Sequence, residues 1–134
     1  MAEVIVFPDL ENRLVDYLAA ALAERGDPAA VSVTVPNPRP SRFVLVPRIG
    51  GVRRNFVVDS ATIAVECWDD TDAGAADLAA LVRGLVGALP GQVLDGVPVY
   101  RVDEFAGPAN LPDPRSAQAR YTFTVSISYR GTAA

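Results

Sequence analysis

Apolar residues recur every fourth position near the start of the chain. Leu10, Leu14, Leu18 and Leu22 form one stripe, with Tyr17 and Ala21 beside it. That spacing predicts an amphipathic helix. Asp9 stands where an N-cap is needed, Glu11 falls in the first turn and Arg25 in the last, and Gly26 offers a stop. Leu78, Leu81, Val82, Leu85 and Leu89 repeat the pattern. Thr71 or Asp72 caps this second helix, and Pro90-Gly91 ends it. Gly74, Gly84 and Gly87 fall inside it at a cost of about 1 kcal/mol each relative to alanine, which close packing against a neighbour would explain.

Elsewhere the period is two. Tyr121, Phe123, Val125, Ile127 and Tyr129 alternate with Thr122, Thr124, Ser126, Ser128 and Arg130. This is a long strand with one dry and one wet face. Ile63, Val65 and Cys67 alternate with Thr62, Ala64, Glu66 and Trp68, predicting a strand over 62–68. Val31, Val33 and Val35 predict a short strand that the prolines at 36, 38 and 40 end. A further strand is expected over 43–49, with Pro47 at an edge or bulge, and another over 97–105 with imperfect alternation. Gly50-Gly51 reads as a turn, and 52–60 as either a hairpin arm or a mobile tip. A proline-rich loop leads into the last strand. The expected architecture is one α+β domain over 1–134: a mainly antiparallel sheet of four to five strands, with two amphipathic helices on one face.

A chain of 134 residues, half of them hydrophobic, is long enough to bury a core without staples. No apolar run is long enough to span a membrane, and the N-terminus has no secretory pattern, so a membrane role is not expected. The single cysteine and the lack of histidine exclude an internal disulfide, a Cys/His zinc site and histidine-based acid–base catalysis. All 12 basic residues are arginine, which suggests a high-GC genome. The net charge of −4 gives no general pull on nucleic acid.

Candidate chemistry is sparse. Asp69, Asp70 and Asp72 could bind a hard cation, but they lack calcium-loop spacing and suit a helix N-terminus without any ligand. Glu66 with these aspartates makes only a weak acid/base pair. Cys67 reads as a small buried hydrophobe. No catalytic, cofactor or metal residue is assigned, and an enzyme is not expected. Trp68 either anchors an interface from an exposed strand end or packs under the start of the second helix. Arg48, Arg53 and Arg54, with Arg39 and Arg42 upstream, cluster in sequence around Gly50-Gly51. Nucleic acid is one possible target, but arginine also suits protein interfaces. On an acidic protein such a basic loop can meet an acidic patch on an identical neighbour and build a head-to-tail ring.

Four stretches appear in one order: PDLENRLVDYLAAAL, LVPRIGGVRRNF, ECWDDTDAGAADLAALVRGL and GPANLPDPRSAQARYTFTVSISYRG. Together they resemble the tail terminator proteins of long-tailed bacteriophages infecting actinobacteria. The resemblance covers nearly the whole chain, although DDTDAG is more acidic and glycine-containing than the family pattern. It implies a structural, non-catalytic protein without cofactors, built on an α+β sheet with helices on one side. Such proteins form a ring, typically a hexamer, on the tail tube; they end its polymerisation and offer the surface that joins the head. The implied partners are other copies of the chain, the tail tube protein and the head–tail connector proteins. DNA passes through the ring without specific binding. The implied location is the virion tail, with the host cytoplasm during assembly. The resemblance implies contacts through the arm 48–56 (Arg48, Arg53, Arg54 and Phe56) and the loop 107–115 (Asn110, Leu111, Asp113 and Arg115); Trp68 joins them on chemical grounds. The rival readings are another head–tail completion protein and a ferredoxin-like nucleic-acid-binding module.

Overall fold

A computed structural model describes residues 2–134. Its elements run β1 (Ile5–Val6), α1 (Leu10–Glu24), β2 (Ala30–Ser32), β3 (Phe43–Leu45), β4 (Arg48–Arg53), β5 (Val58–Asp69), α2 (Asp72–Gly87), β6 (Val93–Leu94), β7 (Val97–Asn110), β8 (Ala119–Arg130) and β9 (Thr132–Ala133).

Both helices start where the caps predict. The Asp9 carboxylate accepts from Asn12 N–H, and the Thr71 hydroxyl accepts from Gly74 N–H. Leu10, Leu14, Leu18 and Leu22 are all buried, and Gly26 follows α1 at φ 71°. In α2 the buried stripe is Ala75, Leu78, Ala79, Val82, Leu85 and Val86, with Leu89 buried just beyond its end. Leu81 is only half-buried. Of the three glycines in α2, only Gly74 meets a close neighbour: a Cβ there would lie 2.5 Å from the Asp69 carboxylate. Gly84 and Gly87 face open space, so packing does not account for them.

Seven strands form the main sheet, in the order β2-β3-β5-β8-β7-β6, with β4 also paired to β5. All pairings are antiparallel except β2–β3. The sheet has more strands than four to five for three physical reasons. Pro47 lacks an N–H and splits the 43–49 run into β3 and β4, both of which pair with β5. Gly50-Gly51 is not a turn but lies inside β4, opposite Thr62 and Ala61. Gly51 sits at φ 146°, and a Cβ there would collide with the Ser60 carbonyl oxygen. Asp95 and Gly96, at φ 46° and 78°, make a tight turn that pairs β6 with β7. A separate two-stranded sheet joins β1 to β9.

The long central ladder pairs β5 with β8 over twelve positions, from Val58↔Arg130 to Asp69↔Ala119. Ile63, Val65, Cys67, Phe123, Val125, Ile127 and Tyr129 project from it into the same core as the leucines of both helices. α2 lies against β5, β8 and β7, whereas α1 packs on α2, β2 and β6. Tyr17 Oη donates to the Leu85 carbonyl at 2.7 Å and ties the two helices together.

Candidate functional site

The two stretches expected to make contacts lie at opposite ends of the central ladder. Arg53, Arg54 and Phe56 occupy the β4–β5 hairpin beside Val58. Residues 110–115 lie beside Ala119, where β7 and β8 meet at the far end. The twelve residues of β5 separate them by roughly 36 Å at the usual strand rise.

At the hairpin end, 52–60 is an ordered arm. Asn55 Oδ1 accepts from the N–H of Val57 and of Val58, and Arg53 donates to the carbonyls of Asn55 and Phe56. These bonds close the tip without glycine. The Arg53 guanidinium also lies over the rings of Phe7 and Phe56, 5.0 and 5.2 Å from their centroids. Every residue of β4 is exposed, and Ile49, Val52 and Phe56 present apolar side chains to solvent. Arg54 is exposed as well, beside a surface hollow that Arg101, Asp103 and Ser128 line.

Arg48 differs from Arg53 and Arg54, because its guanidinium turns inward. Nη2 donates to Asp59 at 3.0 Å, Nη1 to Tyr129 Oη at 3.0 Å and Nε to the Gly50 carbonyl at 2.9 Å. Tyr129 Oη in turn donates to Asp59, which is buried. Burial first, then the Asp59 charge, pushes the Tyr129 phenol above its ordinary value. The Arg48 head is therefore engaged within the subunit and holds a buried carboxylate.

At the other end, Trp68 is not an exposed anchor. It is 3% exposed and stacks on Phe43, with the centroids 5.5 Å apart and the planes 9° from parallel. These two rings and Leu45 form a second, smaller core. The strand alternation that puts Cys67 into the main core puts Trp68 on the opposite side, where Arg39 and Arg120 cover it at 4.8 and 5.2 Å. Its indole N–H is buried without a hydrogen-bond partner among the described residues. Asp113 is also buried, and Arg115 grips it with two side-chain bonds of 3.1 and 3.0 Å. The hydrogen bonds from Arg115 hold the Asp113 carboxyl down to about 2. Asn110, Leu111 and Arg115 are exposed.

The expected loop over 107–115 begins later than its sequence suggests. β7 continues through Gly107 and Pro108 to Asn110, crossing register shifts before Ala106 and Ala109 that leave room for the proline. These shifts also account for the imperfect alternation noted in sequence.

Two arginines assigned to the cluster around Gly50-Gly51 have other partners. Arg39 covers Trp68 and Phe43 and donates to Gln118. Arg42 binds Asp27, Asp69 and the Gly74 carbonyl. Asp69 thus neutralises an arginine, and Asp72 lies in the first turn of α2. Among the described residues, no three His, Cys, Asp or Glu side chains gather where a metal could sit. Phe123 and Tyr129 are core residues and offer no platform for stacking bases.

The face of the central ladder away from the main core carries Ser60, Thr62, Thr122, Thr124, Ser126 and Ser128, flanked by Glu66, Trp68 and Arg120 at one end. Ser60 and Ser126 share a hydrogen bond there. The alternation in sequence predicts a wet face here, but Ser60, Ser126 and Ser128 are buried. No protein-family model matches this chain, and comparison with curated proteins finds no match.

Proposed function

We propose that this chain is a structural assembly protein: a ring-forming tail terminator that caps a phage tail tube, ends its polymerisation and offers the surface that joins the head. The observation that carries the reading is the β4 arm. Six consecutive strand residues are exposed, with Ile49 and Val52 bare and Phe56 beside them, and the arm contains no Asp or Glu. An ordered, apolar, basic arm on an acidic protein suits contact with another protein surface. The second contact region, around Leu111 and Arg115, lies at the far end of the ladder, as stacking between a tube and a connector requires.

One feature fits a conduit for DNA. The net charge is −4, with no lysine in the chain. An acidic balance of this kind gives no general attraction for phosphates. The number of copies is proposed to be six, on the resemblance alone.

A virus lacking this gene is the decisive test. It should assemble tails of uncontrolled length that fail to join heads, and tails of normal length would refute the role. Electron microscopy of the purified protein at high concentration should show a discrete annulus.

A further inference from the structure

The sheet has two open flanks. Among the described residues, β4 on one flank pairs with β5 and with no strand on its other side, and β7 beyond Val99 on the other flank pairs only with β8. The β4 flank has its hydrogen-bonding groups turned outward. Arg54 N–H donates to the Val58 carbonyl at 2.9 Å, in the same register that places Arg53 opposite Asp59 and Gly51 opposite Ala61. Bonded and non-bonded pairs alternate along an antiparallel ladder, so the N–H and C=O of Arg53 and Gly51 point away from β5. The flank has no lysine or proline between Arg48 and Arg53 and no covering element over its apolar residues Ile49 and Val52, both more than 60% exposed. Long exposed edges of this kind are templates for pairing with another chain.

The β7 flank complements it. Its regular stretch, Arg101 to Glu104 opposite Ser128 to Val125, is as long as the regular stretch Gly50 to Arg53 on β4. Tyr100 and Phe105 are exposed on either side of it. It carries Asp103 and Glu104, against Arg53 and Arg54 on the arm. Those two acids already hold Arg101 and Arg83, but these are surface pairs that exchange at little cost. Strand direction also agrees. Three antiparallel pairings separate β4 from β7, so the two flanks run oppositely. Rotating a copy about a ring axis preserves the sense of each strand along that axis. The β7 strand of one copy therefore arrives antiparallel to the β4 strand of the next.

We infer that neighbouring copies join by main-chain pairing of β4 with β7, so that one antiparallel sheet continues around the assembly. The contact is head-to-tail and uses two different surfaces of each copy. The inference rests on the ring reading above and specifies its joint.

Cysteine cross-linking of the purified, full-length protein at high concentration tests it. Cys67 is buried, so introduced thiols are read cleanly. One variant carries Val52→Cys, and a second set carries Arg101→Cys, Asp103→Cys or Glu104→Cys. Mixing the first with at least one of the second should give disulfide-linked heterodimers, and the two changes in one chain should give a ladder of multimers. Each variant alone should give none; homodimers of Val52→Cys would mean a two-fold contact and overturn the inference. Arg53→Pro removes an outward N–H without breaking a bond to β5, and should abolish annuli while unfolding at the same midpoint as Arg53→Ala, which loses the same side-chain bonds. Arg53→Ala keeps the N–H and should retain the annuli. Annuli that survive Arg53→Pro, with no cross-links in any mixture, would overturn the joint and leave the ring standing. A strict monomer without cross-links would overturn the joint, while the tail-length experiment judges the ring role independently.

Discussion

Arg42 holds Asp27 with two parallel hydrogen bonds, 2.9 Å from Nε and 2.7 Å from Nη2. Its remaining nitrogen, Nη1, reaches Asp69 at 2.7 Å and the Gly74 carbonyl at 3.0 Å. One guanidinium thus ties the loop after α1 to the junction between β5 and α2. The planar fork matches this bidentate geometry in a way an ammonium group cannot. Arg42→Ala should cost about 2–3 kcal/mol, the scale of lost charged hydrogen bonds, and Arg42→Lys should recover only part of it. Urea unfolding measures both. The hydrogen bond from Arg42 lowers the Asp27 carboxyl below its ordinary 3.8. A depressed folded-state value means this stabilisation is complete above pH 3.8 and is lost as pH falls through the lower, folded value.

Asp113 gives a more direct titration. Held by Arg115 at about 2, it should stay ionised well below the usual carboxylate range of 3.8. Its side-chain carbon resonance, followed by NMR from pH 6 downward, should move only near the bottom of the titration. Arg115→Ala should bring the midpoint back toward the ordinary value. A normal midpoint in the unaltered protein would show that the pair does not form in solution.

Cys67 is fully buried in the main core, and burial, followed by the neighbouring Glu66 charge, pushes its thiol up to about 12. The thiolate is the reactive form. Maleimide labelling at pH 8 should therefore be negligible in the folded protein and should rise in step with unfolding. Rapid labelling of folded protein would contradict the burial of this strand position.

Trp68 is the only tryptophan, so its emission reports on the small core it shares with Phe43. The folded protein should emit at short wavelength and shift red on unfolding. Trp68→Ala should cost about 3–5 kcal/mol, as expected for removing a buried aromatic ring. Stability within experimental error of the unaltered protein would mean that the ring is not part of a core.

Arg53 and Arg54 carry the exposed positive charge of the β4 arm. Replacing both with glutamate should abolish self-association, read as a fall in sedimenting mass. A thermal unfolding scan on the same variant separates this from misfolding, because Arg53 also closes the hairpin tip. An unchanged mass with an unchanged melting profile would reject a role for these charges in assembly.

Both helices and the terminal strand are legible in the sequence because their signals are local: leucine spacing, caps, and alternation uninterrupted by glycine or proline. The remaining features depend on distant partners. β5 begins earlier than its pattern suggests because Asp59 and Ser60, which look like surface residues, are buried against Arg48, Tyr129 and Ser126. Gly50-Gly51 resembles a turn in any local reading, and only the approach of the Ser60 carbonyl explains an extended glycine at 51. Gly107 and Pro108 hide the second half of β7, because register shifts cannot be read from composition. Arg48, Arg42 and Arg39 are close in sequence, yet their partners Asp59, Asp27 and Trp68 lie in three different places. Residues 52–60 read in sequence as either a hairpin arm or a mobile tip, and the bonds around Asn55 select the arm.

Counting strands from β4 through β5 and β8 to β7 gives four, and this parity has a consequence. An even number leaves the outermost strands opposite in sense, so successive copies can be laid side by side indefinitely without a parallel seam. An odd number would force such a seam at every boundary. Parity places no limit on how many copies follow one another; in the proposed ring, the twist accumulated across each group of four would set the closure. Substitutions that alter that twist, rather than those that alter the seam, would change the circumference.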